Sequence, residues 1–425
     1  MSGPALPGGW SSKRLKHVAT YNDEVLPEDT DEDQEIDYVE ISGVSLARGI
    51  EEIQRVSFGQ APSRARRKVR RGDILISTVR TYLRAIAKVD EATPDLIAST
   101  GFCVVRPGDG VDSGFVGWVA KSEPFVSEVV ARSVGVSYPA INASELATIP
   151  IPLPPLDTQR RIARFLDDKT ARIDGLIEKK RALLDRLAEK RQALITRAVT
   201  KGLNPDARMK PSGIDWLGDI PAHWETGNLR RFARMKTGHT PSRSVAEYWD
   251  NCTVPWFTLA DVWQLRDGTR WYLEETAEKI SEIGLANSAA ELLPAGTVVF
   301  SRTASVGYSG IMRISMATSQ DFWNWICGPK LTPKFLLLLF RSMTQKFEES
   351  TSGSTHKTIY QGIAASLQIC VAPLEEQRAI SSYVLASASA IDAAAMKVRE
   401  SINLLVEYRD ALVTLAVTGN ISVRQ

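Results

Sequence analysis

Residues 155–200 read PLDTQRRIARFLDDKTARIDGLIEKKRALLDRLAEKRQALITRAVT, and residues 373–418 read PLEEQRAISSYVLASASAIDAAAMKVRESINLLVEYRDALVTLAVT. Aligned without gaps, about 18 of the 46 positions are identical, where chance gives about three. Both stretches open on Pro-Leu-x-x-Gln-Arg-x-Ile. Pro155 and Pro373 stand at the helix entry, with Asp157 and Glu375 near the N-cap. Ile173, Leu176, Leu183, Leu187, Leu194 and Ala198 follow 3–4 spacing, as do Ile391, Val398, Ile402, Leu405, Leu412 and Ala416. Gly202 and Gly419 close the two runs in the C-cap position. Two long helices with one apolar stripe each are expected to pair through Ile173, Leu187, Leu194, Ile391, Leu405 and Leu412. Folding back between compact domains would make the pair an antiparallel coiled coil.

Working outward, fainter echoes precede each helix. Trp10 and Leu15 match Trp224 and Leu229, Gly72–Ser77 resembles Gly296–Ser301, and Gly135–Ile141 lines up with Gly353–Ile359. The chain is therefore one unit used twice: a globular part of mixed α/β character, leaning to β, followed by a long helix. Strand-like runs are Asp73–Ser77, Gly101–Val105, Ala147–Leu153, Thr297–Phe300, Ser319–Trp325 and Leu367–Ala372, separated by Gly, Pro and polar turns. The expected division is 1–154 globular, 155–202 helix, 203–222 linker, 223–372 globular, 373–419 helix and 420–425 tail. Segment 203–222 is assigned as linker for its Pro, Gly and Asp content and weak periodicity.

The 425 residues are 44% hydrophobic and 24% charged, with 52 basic against 50 acidic residues. A near-zero net charge excludes a polycation but not a basic face balanced elsewhere. Four scattered cysteines without a CxxC pair argue against a zinc site or disulfide scaffold and suit a reducing cytoplasm. The N-terminus has no signal-peptide pattern, and the longest apolar run, Phe335–Phe340, is short for a bilayer. The expectation is a cytoplasmic protein with no membrane partner.

No GxxxxGK[ST], GxGxxG after a strand, HExxH or Asn-Pro-Pro-aromatic motif occurs, so no catalytic residue, metal ligand or cofactor site is assigned. Asp174 with Glu178-Lys179-Lys180 has the look of a nuclease set, but it lies on a helix face where solvated charge is the ordinary reading. DNA-binding chemistry is better represented. Arg64, Arg66, Arg67, Lys68, Arg70 and Arg71 put six cations in eight residues, and Arg80 and Arg84 flank Tyr82. Such a cluster suits phosphates. A basic loop merely offsetting the seven carboxylates of Glu28–Asp37 would look the same. In the second copy, Lys236–Arg243, Ser301–Tyr308 and Ser352–Lys357 are Gly/Ser/Thr loops carrying His239, Thr240, Arg243, Arg302, Ser305, Tyr308, Ser354, His356 and Lys357, groups suited to base edges. Trp249, Trp256, Trp263 and Trp271 are expected in the core.

Lys210-Pro-Ser-Gly-Ile-Asp-Trp-Leu-Gly-Asp-Ile-Pro-Ala-His-Trp224, the doubled Pro-Leu-x-x-Gln-Arg-x-Ile signature and Thr237-Gly-His-Thr-Pro-Ser242 together resemble the specificity subunit of type I restriction–modification enzymes. The resemblance runs over essentially the whole chain. It implies two target-recognition domains, each reading half of a bipartite asymmetric site in double-stranded DNA. It further implies a helical spacer that docks modification (methyltransferase) subunits, two by expectation, with restriction subunits completing an ATP-dependent nuclease. S-adenosylmethionine, ATP and magnesium would then belong to the partners, none of them to this chain. Where the second copy carries the family's Ser354-Thr-His-Lys357, the first departs from it with Val136-Ser-Tyr-Pro139; Tyr82, Ser137 and Tyr138 are the base-reading candidates of the first copy. A nuclease with a divergent site and a scaffold or stand-alone DNA-binding protein on a coiled-coil spacer are the alternatives.

Overall fold

The computed structural model describes residues 6–303, 305–349 and 358–423. The chain forms two compact units, Met1–Lys180 with Glu400–Gln425, and Arg181–Arg399. Each unit thus contains a globular part and a portion of both long helices, Leu156–Lys201 (the central helix) and Leu374–Val417 (the C-terminal helix).

In the first unit one four-stranded sheet runs Gln54–Ser57, Glu35–Val39, Leu96–Ser99, Ala65–Lys68, and a second runs Ala19–Tyr21, Phe102–Pro107, Ile74–Ser77, Ile86–Lys88. The strand Ile74–Ser77 is buried along its whole length. Its period of two explains why: Ile74 and Ile76 join Phe115, Val116 and Val119 in one core, while Leu75 turns to Val39, Leu96 and Phe102 in another. A strand covered on both faces reads as a continuous apolar run. The second unit repeats the device. Val298 and Phe300 face the helix Pro333–Ser342, and Val299 faces Phe257 and Leu273 on the opposite side. All six strand-like runs named from the sequence contain or overlap strands.

The repeated glutamine has a structural task. Gln159 is buried; its amide donates to the carbonyl of Pro154, and its Oε1 accepts from the backbone N–H of Asp112, the N-cap of helix Ser113–Lys121. Gln377 does the same with Ala372 and with Thr332, the N-cap of helix Pro333–Ser342. Each signature therefore clamps a short domain helix to the start of a long one. The Trp10/Trp224 echo is also physical: Trp10 meets Phe115 edge-on, and Trp224 meets Phe335 likewise. Gly202 and Gly419, at φ 72° and 76°, end the long helices as expected.

Three expectations need correction. Segment 203–222 is no free linker: Met209–Pro211 pairs antiparallel with Asp219–Pro221, and Leu217 and Ile220 are buried in the second unit's core. The buried stripe of the central helix departs by a residue in places from the expected one. Leu176 and Leu183 are exposed while Ile177, Ile195 and Val199 are buried, and the charged Arg191 is also turned inward, paired with Asp392. Of the residues expected to pair the helices, Ile173, Ile391 and Leu412 are buried, and Leu194 and Leu405 pack partly buried against the unit cores. Leu187 is half-buried. Finally, Trp256 and Trp271 are core and Trp249 packs against it, but Trp263 is exposed beside Arg270.

Candidate nucleic-acid interface

Three loops of the first unit are tied into one edge. Thr78 N–H donates to the carbonyl of Gly101, and Ile141 N–H donates to the carbonyl of Thr78. Val79 bridges Ala140, and Thr81 Oγ1 lies 2.8 Å from Ser133 Oγ. Thr100 N–H reaches the carbonyl of Arg64, bringing the start of the basic segment to the same edge. The second unit repeats this wiring with different side chains. Arg302 N–H donates to Asp321, Ile359 N–H donates to Arg302, and Thr303 bridges Thr358. Thr78 and Arg302 are thus equivalent positions, as are Val79 and Thr303. The repeated fold presents two loop edges of unlike chemistry.

Around Arg302 the structure gathers several residues nominated from the sequence. The guanidinium lies 4.5 Å over Trp323, whose indole N–H donates to the carbonyl of Ile359. His239 N–H donates to the carbonyl of Thr318, and Thr240 Oγ1 contacts Gln320. Gly238 is required there, since a Cβ would sit 2.1 Å from the carbonyl oxygen of Ser319. Ser305 is half-buried, and Tyr308 packs against the core through Phe257 and its neighbours. Arg243 is engaged elsewhere: it pairs with Glu278 at 2.9 Å and stacks 4.1 Å over Trp249. Ser354, His356 and Lys357 lie outside the described residues.

The basic segment of the first unit is a strand, Ala65–Lys68, not a loop, and part of its charge is already used. Arg64 pairs with Glu40 at 3.0 Å and Arg70 with Glu24 at 2.6 Å. Arg70 is the leading reason the Glu24 carboxyl is held below its ordinary range, with Arg106 assisting. Arg66 stacks 4.5 Å over Phe58, and Arg67 and Lys68 are half-buried. Arg71 is exposed. Arg84 is committed to Glu123 through two bonds of 2.7 and 3.1 Å. Arg80 has no carboxylate partner among the described residues; it lies over Tyr138 at 4.7 Å. Tyr82, Ser137 and Tyr138 are exposed at this edge. The partners Glu24, Glu40 and Glu123 lie far from these arginines in sequence and meet them only in the folded unit.

Among the described residues no group of three His, Cys, Asp or Glu side chains could hold a metal ion. The long helices carry ion pairs inside each unit, Arg409–Asp174 in the first and Arg191–Asp392 in the second. The C-terminal helix also carries surplus apolar surface. By length and composition alone it is apolar enough to cross a membrane, as core helices can be. Met396, Leu404, Tyr408 and Leu415 are exposed along it.

Each half of the chain is a β-rich domain with a differently furnished loop edge, followed by a long helix. The family described as Type I restriction modification DNA specificity domain matches residues 7–186 and 221–396, once per repeat, and the chain belongs to it. The type I restriction enzyme MjaIX specificity subunit of Methanocaldococcus jannaschii is 26% identical over 170 residues, covering 40% of this chain and 38% of that one. The HindI specificity subunit of Haemophilus influenzae is 21% identical over 350 residues (69% and 75%), and the putative MjaX specificity subunit of M. jannaschii 22% over 367 (83% and 79%). Two solved structures share the fold. One chain, from a study of complex assembly and conformational transition of the type I R-M system, has a TM-score of 0.79 at 24% identity, covering 98% of this chain and 100% of that one. The HsdS subunit from Thermoanaerobacter tengcongensis has a TM-score of 0.56 at 22%, covering 99% of each.

Proposed function

We propose that this chain is the DNA-reading subunit of a type I restriction–modification enzyme, with each unit reading one half of a bipartite, asymmetric site. The observation that carries this is the doubled loop edge: the backbone wiring of Thr78–Gly101–Ile141 and Arg302–Asp321–Ile359 is the same, and the side chains on it differ. Equal scaffolds with unequal tips suit two unlike half-sites. The two long helices form an antiparallel coiled-coil spacer, which the ion pairs Arg409–Asp174 and Arg191–Asp392 support. The exposed apolar side chains Leu404, Tyr408 and Leu415 support docking of methyltransferase subunits on that spacer. Restriction subunits complete the enzyme, and S-adenosylmethionine, ATP and magnesium act in the partners. The complex works on DNA in the cytoplasm.

Long-read mapping of methylated adenines in cells expressing this chain with its methyltransferase partner tests the reading. A two-part motif with an unspecified gap is expected, and replacing residues 225–350 by the corresponding segment of another family member should change one half only. Methylation that does not depend on this chain would overturn the proposal. DNA cleavage by the pure chain with magnesium, abolished by changing one of its own residues, would replace it with a nuclease.

A further inference from the structure

The loop edge of the first unit ends in apolar side chains left in water. Val136 at the tip is 102% exposed and Tyr138 66%, with Val134 beside them and Tyr82 and Leu83 exposed on the adjoining turn. Single exposed apolar residues are ordinary; five on two adjoining loops are not. The tip is held rigidly. Val134 and Ala140 exchange backbone bonds of 2.8 and 3.0 Å, and Ala140 is bridged to Val79. Gly135 has φ 115°, and a Cβ there would lie 3.1 Å from the carbonyl oxygen of Tyr138, so the turn closes tightly. Arg80 and Arg84, both left-handed at φ 49° and 53°, frame the Thr81–Leu83 turn. Strain of this kind persists only where its surroundings enforce it. Arg80 lies over Tyr138 and has no carboxylate partner among the described residues.

Apart from the hydroxyls of Ser137 and the two tyrosines, these side chains offer base edges no hydrogen-bonding group. They suit a different contact. We propose that the Val134–Tyr138 tip and the Tyr82–Leu83 turn form a wedge that enters the base stack of the half-site read by this unit and opens one base step, with Arg80 on the neighbouring phosphate. An apolar tip beside an uncommitted guanidinium matches a duplex, apolar between its bases and anionic at its rim. The step opened should be pyrimidine–purine, the kind most easily unstacked. The inference deepens the function proposed above and rests on it.

The test uses the full chain with its methyltransferase partner on a short duplex carrying the mapped site. 2-Aminopurine is substituted in turn at each purine other than the methylated adenines. A several-fold rise in fluorescence is expected at one step and should vanish in Val136→Ser/Tyr138→Ser. Loss of a base–aromatic contact should weaken binding about tenfold to a hundredfold. Unchanged protection of the other half-site shows the variant folded. Tight binding without a rise at any position overturns the wedge, as does a rise that survives in the variant. Loss of discrimination between thymine and uracil at one position, with no rise, overturns it in favour of a methyl contact. Failure of the parent complex to bind at all would remove the function proposed above together with the wedge.

Discussion

Arg409 reaches Asp174 across 2.9 Å, and the repeat makes this pair the mirror of another: Arg191 reaches Asp392 at the same 2.9 Å. Asp174 and Asp392 occupy one position of the repeat, and Arg191 and Arg409 occupy one other. Each unit thus holds the same acid–base contact, with the helices that contribute the acid and the base exchanged. Each pair also neighbours a cation at the end of a short helix, Lys121 in the first unit and Arg341 in the second. Burial pushes both below their ordinary values, Arg341 to about 10, with Arg191 next to it adding to the effect. Arg341 offsets its burial by donating to the carbonyls of Gly268 and Arg270.

Breaking one pair should therefore cost more than a surface ion pair and less than a buried one. Arg409 is 14% exposed and Asp174 41%, so Arg409→Met is expected to destabilise by about 1–2 kcal/mol. The reversal Asp174→Arg/Arg409→Asp should recover part of the loss. Urea unfolding of the singles and the double reads the coupling; strictly additive effects would mean that the contact is incidental.

The clamp glutamines should matter more than the arginines that follow them. Gln159→Leu leaves the N–H of Asp112 without its acceptor and the Pro154 carbonyl without its donor, at a cost of about 2–4 kcal/mol. Gln377→Leu should behave alike. Arg160→Ala, at a side chain half in water, should stay within about 0.5 kcal/mol. Equal losses for Gln159→Leu and Arg160→Ala in thermal melts would contradict the clamp. Packing does not explain why the arginine recurs.

Much of this fold was legible because the repeat supplied its own comparison. Helices of this length with glycine ends, and strands such as Ile74–Ser77 between Gly and polar turns, declare themselves through period and punctuation. Segment 203–222 did not, since a hairpin of three-residue strands has too few alternations to register. The fate of the basic cluster was also hidden. Sequence shows six cations, but the use of Arg64 and Arg70 is decided by Glu40 and Glu24, which approach only in the folded sheet. In the second copy Gly238 and Arg302 sit in short polar motifs that are visible in the sequence, while the stacking of Arg302 on Trp323 appears only in the fold.

Thiol reactivity should separate the four cysteines. Burial pushes the thiols of Cys103, Cys327 and Cys370 up to about 12. The thiolate is the reactive form, so at pH 8 only about one such group in ten thousand is available, rising tenfold per pH unit. Native chain treated with iodoacetamide at pH 8 should be modified first at half-buried Cys252, and at the buried Cys103 and Cys370 only after denaturation. Peptide mass mapping decides this; early labelling of Cys370 would show that the core around it opens readily.

The spacer prediction follows from the mirrored ion pairs. In the antiparallel spacer proposed above, the stretch between Asp174 and Arg191 would run beside that between Asp392 and Arg409, and the two have the same length. Four residues inserted after Ala188 alone cannot keep both contacts, and this variant should lose stability and methylation together. Four residues after Ala188 with four after Ala394 keep both, lengthening the pair by about one turn, or about 6 Å. At about 3.4 Å per base pair, the unspecified gap should grow by one or two base pairs. The loop edges around Thr78 and Arg302 are untouched, so the bases read on either side should stay as they were. Methylome mapping of the two variants reads the outcome. An unchanged gap in the doubly lengthened chain would show that the helices do not set the distance, and altered bases would show that they do more than set it.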